Sequence, residues 1–231
     1  MKSTLDIKKE ATAALAGRWG KAILILACVF LMSLVLSFYP QVFPNLSRPM
    51  TLLADFLITA LILQPFQMGS MIFLIKLVRK EEISLGLIFD GYSYVKKLLP
   101  LSILFFVFSI WGQQFMDQIL LQLEEGQRVL PSLAWYLSAN LLVNILFSQV
   151  HFILYDHPEW SGLLAIGRGV ILIAKHWIRY ISLQLSFLLW ILVAAFTGGI
   201  LLIWLLPYIE TANTVFYEEI KESIRKKGAS L

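Results

Sequence analysis

Four polar side chains fall on one stripe of an otherwise apolar run: Asn140, Asn144, Ser148 and His151, at steps of four, four and three residues. On a helix those steps bring side chains onto one face. The stripe is therefore a hydrogen-bonding track in a segment that offers few other partners. It admits two uses: tying helices together, at about 0.6 kcal/mol per bond, or lining a path for a polar solute. Glu210, with Asn213 and Thr214 one turn on, carries the same chemistry into a second apolar run, where an ionisable group is a functional candidate. Just past the stripe stands Asp156-His157-Pro158-Glu159-Trp160-Ser161. An Asp–His pair, helped by Glu159, can hold a cation or move a proton. The same residues also make an ordinary turn, with Asp before Pro opening it and Trp seated at an interface. One cysteine and three histidines exclude a disulfide framework and a cysteine zinc cage. The sequence shows no phosphate loop and no nucleophile elbow, so no catalytic residue, metal or cofactor is expected.

The elements that must position these residues follow from composition. The chain has 231 residues, 58% hydrophobic and 15% charged, with mean hydropathy +0.76. A soluble domain is about 45–50% apolar and about 25% charged. The reading is an all-α integral membrane protein, a single membrane domain over 1–231. A crossing helix needs about 20 apolar residues, and spans are predicted near 22–38, 56–75, 98–116, 133–155, 178–197 and 200–217. The last two share one charge-free run, Tyr180–Ile209. As a single helix this run would be ~45 Å long, too much for one comfortable crossing. A turn at Gly198-Gly199 divides it, glycine taking φ > 0 at little steric cost. With the N-terminus inside, every Lys and Arg except Arg48 and Arg128 is then cytoplasmic, as the positive-inside rule favours. The predicted topology is six transmembrane helices with both termini cytoplasmic.

Shorter features fill the gaps. Residues 1–20 read as an amphipathic interfacial helix on the inner leaflet, capped through Ser3-Thr4-Leu5-Asp6, with Ile7, Ala11, Ala14, Leu15 and Arg18 at helical spacing. It is not read as a cleaved signal. Pro65, inside Gln64-Pro65-Phe66-Gln67-Met68-Gly69, breaks span two. The break is either a packing kink or an exposure of carbonyls to a substrate. Residues 218–231 form a basic tail whose Lys221, Arg225, Lys226 and Lys227 are expected to bind anionic lipid of the inner leaflet; nucleic acid is not an expected partner. Glu82-Ile83-Ser84 and Glu159-Trp160-Ser161 align at an offset of 77, each opening a short interfacial segment before a span. Spans two–three and four–five are thus candidate copies of one unit, repeated about an axis along the membrane normal.

Several motifs carry a family resemblance: Tyr155-Asp156-His157-Pro158, Lys175-His176-Trp177, Leu183-Gln184-Leu185-Ser186-Phe187-Leu188-Leu189-Trp190, Gly198-Gly199-Ile200, Trp204, Pro207-Tyr208 and Phe216-Tyr217-Glu218-Glu219, with Ala14–Ile23 at the start. With these the chain resembles the domain-of-unknown-function 975 family of bacterial polytopic membrane proteins. Ile173-Ala174 and Arg168 depart from its pattern. The resemblance implies a six-helix protein of the bacterial cytoplasmic membrane and assigns no catalytic residue. A distant similarity to the membrane domain attached to some glycerophosphodiester phosphodiesterases hints at lipid or envelope work.

Two functions fit best. The first is a non-enzymatic accessory, regulatory or immunity-type module acting through helix packing and lipid contact, with a membrane-protein partner. The alternative is a small transporter or lipid translocator using the track of Asn140, Asn144, Ser148, His151, Glu210 and Asn213. An enzyme with Asp156, His157 and Glu159 as its base cluster ranks third.

Overall fold

The computed structural model describes residues 2–121, 124, 131–132, 135, 142–143 and 145–226. Asn140, Asn144, Arg128 and Lys227 lie outside the described residues, as does much of the predicted span 133–155. Among the described residues the chain is all helical, without strands. The elements in order are α1 (Thr4–Leu15), α2 (Trp19–Ser37), α3 (Tyr39–Val42), α4 (Arg48–Ile58), a π-helical turn (Thr59–Leu63) and α5 (Gln64–Val78). A 3-10 segment (Leu85–Tyr94), α6 (Val95–Leu120), α7 (Val150–Asp156), α8 (Gly162–Phe196) and α9 (Leu202–Lys226) follow. Among the described residues, four stretches are long and apolar enough to cross a membrane: Trp19–Val42, Arg48–Val78, Leu85–Leu120 and Gly162–Ala194.

The centre is α5. From Gln64 to Leu77 all but Gln67 and Lys76 are buried, so an element polar at one end still packs on every side. By contrast α2 buries only Ala22 and Ile25 and turns Phe30, Leu31, Val35 and Phe38 outward. An apolar face of that extent is stable only against lipid or another apolar surface. The proline at the head of α5 explains the turn before it. Pro65 has no N–H, and its ring crowds the carbonyl four residues back. The chain takes up the slack by widening Thr59–Leu63 to a π turn, in which the Gln64 amide donates to the Thr59 carbonyl.

The 3-10 segment folds back onto α5 at glycine contacts. A Cβ on Gly91 would stand 1.9 Å from the Pro65 carbonyl oxygen, and one on Gly69 would stand 2.0 Å from the Ile88 carbonyl oxygen. Only hydrogen fits in either place. Gly162, opening α8, approaches the Lys97 carbonyl in the same way, at 1.9 Å.

At Gly198 (φ +62°) and Gly199 (φ +87°) the chain reverses, and α9 runs back along α8. The pairs step outward from the turn: Phe187 with Tyr208 (ring centroids 5.3 Å apart), Gln184 with Asn213 (2.7 Å), Tyr180 with Phe216 (5.3 Å) and Arg179 with Glu219 (2.6 Å). Within α8 two helical stretches meet at a kink at His176 (φ −125°, ψ 17°), where the interfacial segment is expected to end and span five to follow.

The first helix has the reciprocal cap its sequence announces. Ser3 Oγ accepts from the Asp6 amide, and Asp6 accepts from the Ser3 amide. These hydrogen bonds with Ser3 hold the Asp6 carboxyl below its ordinary value. Its apolar face, Ile7, Ala11 and Leu15, is buried at 0–2% exposure. That face is covered chiefly by α9, with α5 and α8 beside it, so protein rather than lipid occupies it.

Candidate functional site

Two polar constellations stand out, one within the bundle and one at its charged end. The first surrounds a cavity of about 210 Å³ lined by Gln67 and Met71 of α5, Phe105 of α6, Ile145, Phe147 and Ser148, His151 of α7, Tyr180 and Gln184 of α8, and Ile209, Glu210 and Asn213 of α9. Ser148, in the turn before α7, and His151 of α7 line it together, and Glu210 and Asn213 share one face of α9. All four described members of the predicted track therefore line one space. Asn140 and Asn144 fall outside the described residues.

The walls are tied by side-chain bonds. His151 Nε2 lies 3.1 Å from Gln64 Oε1, and Gln184 donates to Asn213 Oδ1 at 2.7 Å. Tyr180, Ser148, Gln184, Glu210 and Asn213 stand together on the same wall. Phe105 and Phe147 meet edge to face with centroids 5.6 Å apart, a geometry that ring quadrupoles favour. A wider cavity of about 620 Å³ lies between α4 and α6, among Asp55, Thr59, Phe105, Gly112 and Asp117.

The second constellation gathers where α5, α7 and α9 end. The Asp156 side chain is 7% exposed. It accepts from Arg79 Nη2 at 2.6 Å, the Tyr217 hydroxyl at 2.7 Å and Lys221 Nζ at 2.5 Å. Arg79 also grips Glu218 through Nε and Nη2, at 2.9 and 2.6 Å. Beneath the carboxylate, Phe152 stacks on Tyr217 with centroids 5.1 Å apart. Alongside, Glu219 accepts from Arg179 (2.6 Å) and from the backbone amide of Lys2 (2.9 Å). The charges survive their partial burial because each carboxylate meets a cationic donor, and Asp156 and Glu219 a neutral one as well, the condition under which an enclosed ion pair is tolerated.

Burial by itself would raise the Asp156 carboxyl; the hydrogen bonds from Lys221, Arg79 and Tyr217 outweigh it and hold the group below its ordinary value. A depressed carboxyl contributes stability above its unfolded value, near ~3.9, and that contribution is lost as pH falls through the folded value. The expected outcome is an acid-side loss of thermal stability in detergent between about pH 5 and pH 2. The Asp156→Asn variant, lacking this titration, should show a smaller drop over the same range.

The inner-face motif is divided. Asp156 belongs to the clamp, whereas His157 sits with Glu159, Nδ1 to Oε1 3.2 Å, and stacks on Trp160 at 4.0 Å. Glu159 is exposed, at 64%. The three side chains do not share a pocket. Of the predicted lipid-binding residues, Lys221 is turned to Asp156 and Lys226 pairs with Glu222 at 2.8 Å. Arg225 is exposed, and Lys227 lies outside the described residues. Pro65 heads α5 without lining the cavity.

Residues 129–224 match the model of a family described as protein of unknown function (DUF975). The match covers less than half of the chain, and over that stretch the chain is similar to the family. No curated protein and no solved structure matches it. Both halves of the clamp that lie in the matched stretch come from motifs of the DUF975 resemblance, Tyr155-Asp156-His157-Pro158 and Phe216-Tyr217-Glu218-Glu219. The structure gives these motifs a physical content: Asp156 and the Tyr217 hydroxyl bond each other across 61 residues of chain. Sequence reasoning missed Arg79, Tyr217, Gln184 and Tyr180 as members of these sites. One signal was available for Arg79, since it precedes Asp156 by 77 residues, the offset at which the two Glu-x-Ser openings align.

Proposed function

We propose that the protein is a non-enzymatic membrane module that takes a small polar solute into its helical bundle, and that it belongs with small transporters. Six spans with both termini cytoplasmic remain the topology of this reading, which puts the clamp on the cytoplasmic side of a bacterial membrane. The observation that carries it is the cavity. Six polar or ionisable side chains from four elements, Gln67, His151, Tyr180, Gln184, Glu210 and Asn213, surround about 210 Å³, where bundles of pure packing function close with apolar atoms.

The candidate repeat supports the same reading. In a parallel repeat, equivalent positions touch one another only at the symmetry axis. Arg79 and Asp156 are equivalent at the offset of 77, and they are in contact. The cavity draws on α5 and α6 from one unit and α7 and α8 from the other, the junction at which repeat-built transporters hold their solutes.

Accessibility tests the proposal. In a Cys28→Ala background, Ser148→Cys places a thiol on the cavity wall. In native membranes this thiol is expected to react with small water-soluble methanethiosulfonates, while a cysteine at buried Ser102, which bonds the Leu98 carbonyl, stays unreactive. An inert thiol in the Ser148→Cys protein would favour the second reading, an accessory scaffold acting through packing, lipid contact and a membrane-protein partner. That reading draws its support from the clamp, which locks α5, α7 and α9 together and leaves a rigid body with no need to open.

A further inference from the structure

The polar cavity contains one carboxylate and no opposite charge. Glu210 lines it, and none of the ion pairs among the described residues includes Glu210. No Lys or Arg stands among the lining residues. The other titratable groups on its wall are His151, whose Nε2 lies 3.1 Å from Gln64 Oε1, and Tyr180. At the clamp end of this molecule the half-buried carboxylates have been given cations: Asp156 has two, Glu218 has Arg79 and Glu219 has Arg179. A half-buried carboxylate that stays ionised calls for a countercharge beside it, and none of the described lining residues is a Lys or Arg.

We propose that the countercharge is the ligand, and that Glu210 is the anionic anchor for a small organic ammonium compound. This deepens the cavity reading and rests on it. Three features select the class. Phe105, Phe147 and Tyr180 put aromatic rings on the wall, and ring faces attract a poorly hydrated organic cation. Gln67, Gln184 and Asn213 provide amide oxygens for the hydrogen-bonding portion of such a molecule. The volume, about 210 Å³, exceeds the ~150 Å³ that admits a benzene ring, so a molecule of several heavy atoms fits. A bare alkali or alkaline-earth ion would sit loosely, because it requires about six or more oxygens converging at roughly 2.3–2.6 Å or a tight octahedron, and much of the wall is hydrocarbon.

The test uses the full-length Cys28→Ala, Ser148→Cys protein in membranes and a pair of reagents of similar size and opposite charge, the ethyltrimethylammonium and ethylsulfonate methanethiosulfonates. Rates are normalised to those with free 2-mercaptoethanol. The trimethylammonium reagent is expected to label the introduced thiol about tenfold faster, the factor that ~1.4 kcal/mol of site attraction represents. Glu210→Gln, checked for folding by size-exclusion elution, brings the ratio to about one. Tetramethylammonium chloride slows labelling when Glu210 is present, and potassium chloride at equal concentration does so much less. The basic residues at the clamp end would steer the reagents in the opposite sense, so a cation preference cannot come from the general field of the protein. Equal rates for the two reagents, selectivity that survives Glu210→Gln, or equal protection by potassium would each overturn the ammonium assignment and leave the cavity reading standing. Labelling by neither reagent would overturn both.

Discussion

Asp156→Ala is expected to destabilise the folded protein by about 3–5 kcal/mol, the loss seen when one member of a buried ion pair is removed and its partners stay behind. Three donors would be stranded at once: Arg79 Nη2, the Tyr217 hydroxyl and Lys221 Nζ. Arg79 keeps Glu218, and Lys221, a third exposed, recovers solvent. The hydroxyl of Tyr217, whose residue is 0% exposed, recovers nothing, and so most of the loss is assigned to it. Reversible unfolding in mixed micelles would measure this. The Asp156→Ala, Tyr217→Phe pair should lose clearly less than the sum of the single variants, because the second change removes the donor that the first one stranded. Strict additivity would mean that Tyr217 and Asp156 are not coupled.

Gly91→Ala is the second large effect. The new methyl group would lie 1.9 Å from the Pro65 carbonyl oxygen and 2.7 Å from the Gly69 amide nitrogen. Both are backbone atoms of the most buried helix, and neither can swing aside as a side-chain tip can. Overpacking a core by one methylene ordinarily costs about 1–3 kcal/mol. Here the clash is with main chain, and the upper end of that range or beyond is expected, read as lost thermal stability and lost expression. Gly20→Ala is the control. A Cβ at Gly20 meets nothing within 4 Å, and alanine in α2 should stabilise by up to about 1 kcal/mol.

The helices were legible where physics is local. Apolar runs, the Ser3–Asp6 cap and the paired glycines each act within a few residues, and the structure has helices, a reciprocal cap and a reversal at those places. What could not be read was which side chains meet across the chain. Asp156, His157 and Glu159 are neighbours in sequence, yet the end of α7 turns Asp156 inward and leaves His157 and Glu159 outside. The partners of Asp156 stand 61 to 77 residues away, a distance at which spacing rules say nothing. The cavity shows the same division. Ser148 with His151 and Glu210 with Asn213 were found as stripes on single helices, whereas Gln67 and Gln184 are single polar residues in apolar runs that acquire meaning only from the opposing wall. A π turn precedes Pro65, and periodicity says nothing of a widened turn.

The bond between the Lys2 amide and Glu219 joins α1 to α9 across 217 residues, and it fixes the order in which the molecule can mature. The ribosome releases α1 long before α9 exists, and Ile7, Ala11 and Leu15 have most of their covering surface only after α9 has arrived. Until then the apolar face of α1 lacks most of its protein cover. Completion of the protein therefore covers α1 late, and a chain truncated before Leu202 is expected to leave Ile7, Ala11 and Leu15 largely uncovered, read as faster amide hydrogen exchange in Thr4–Leu15.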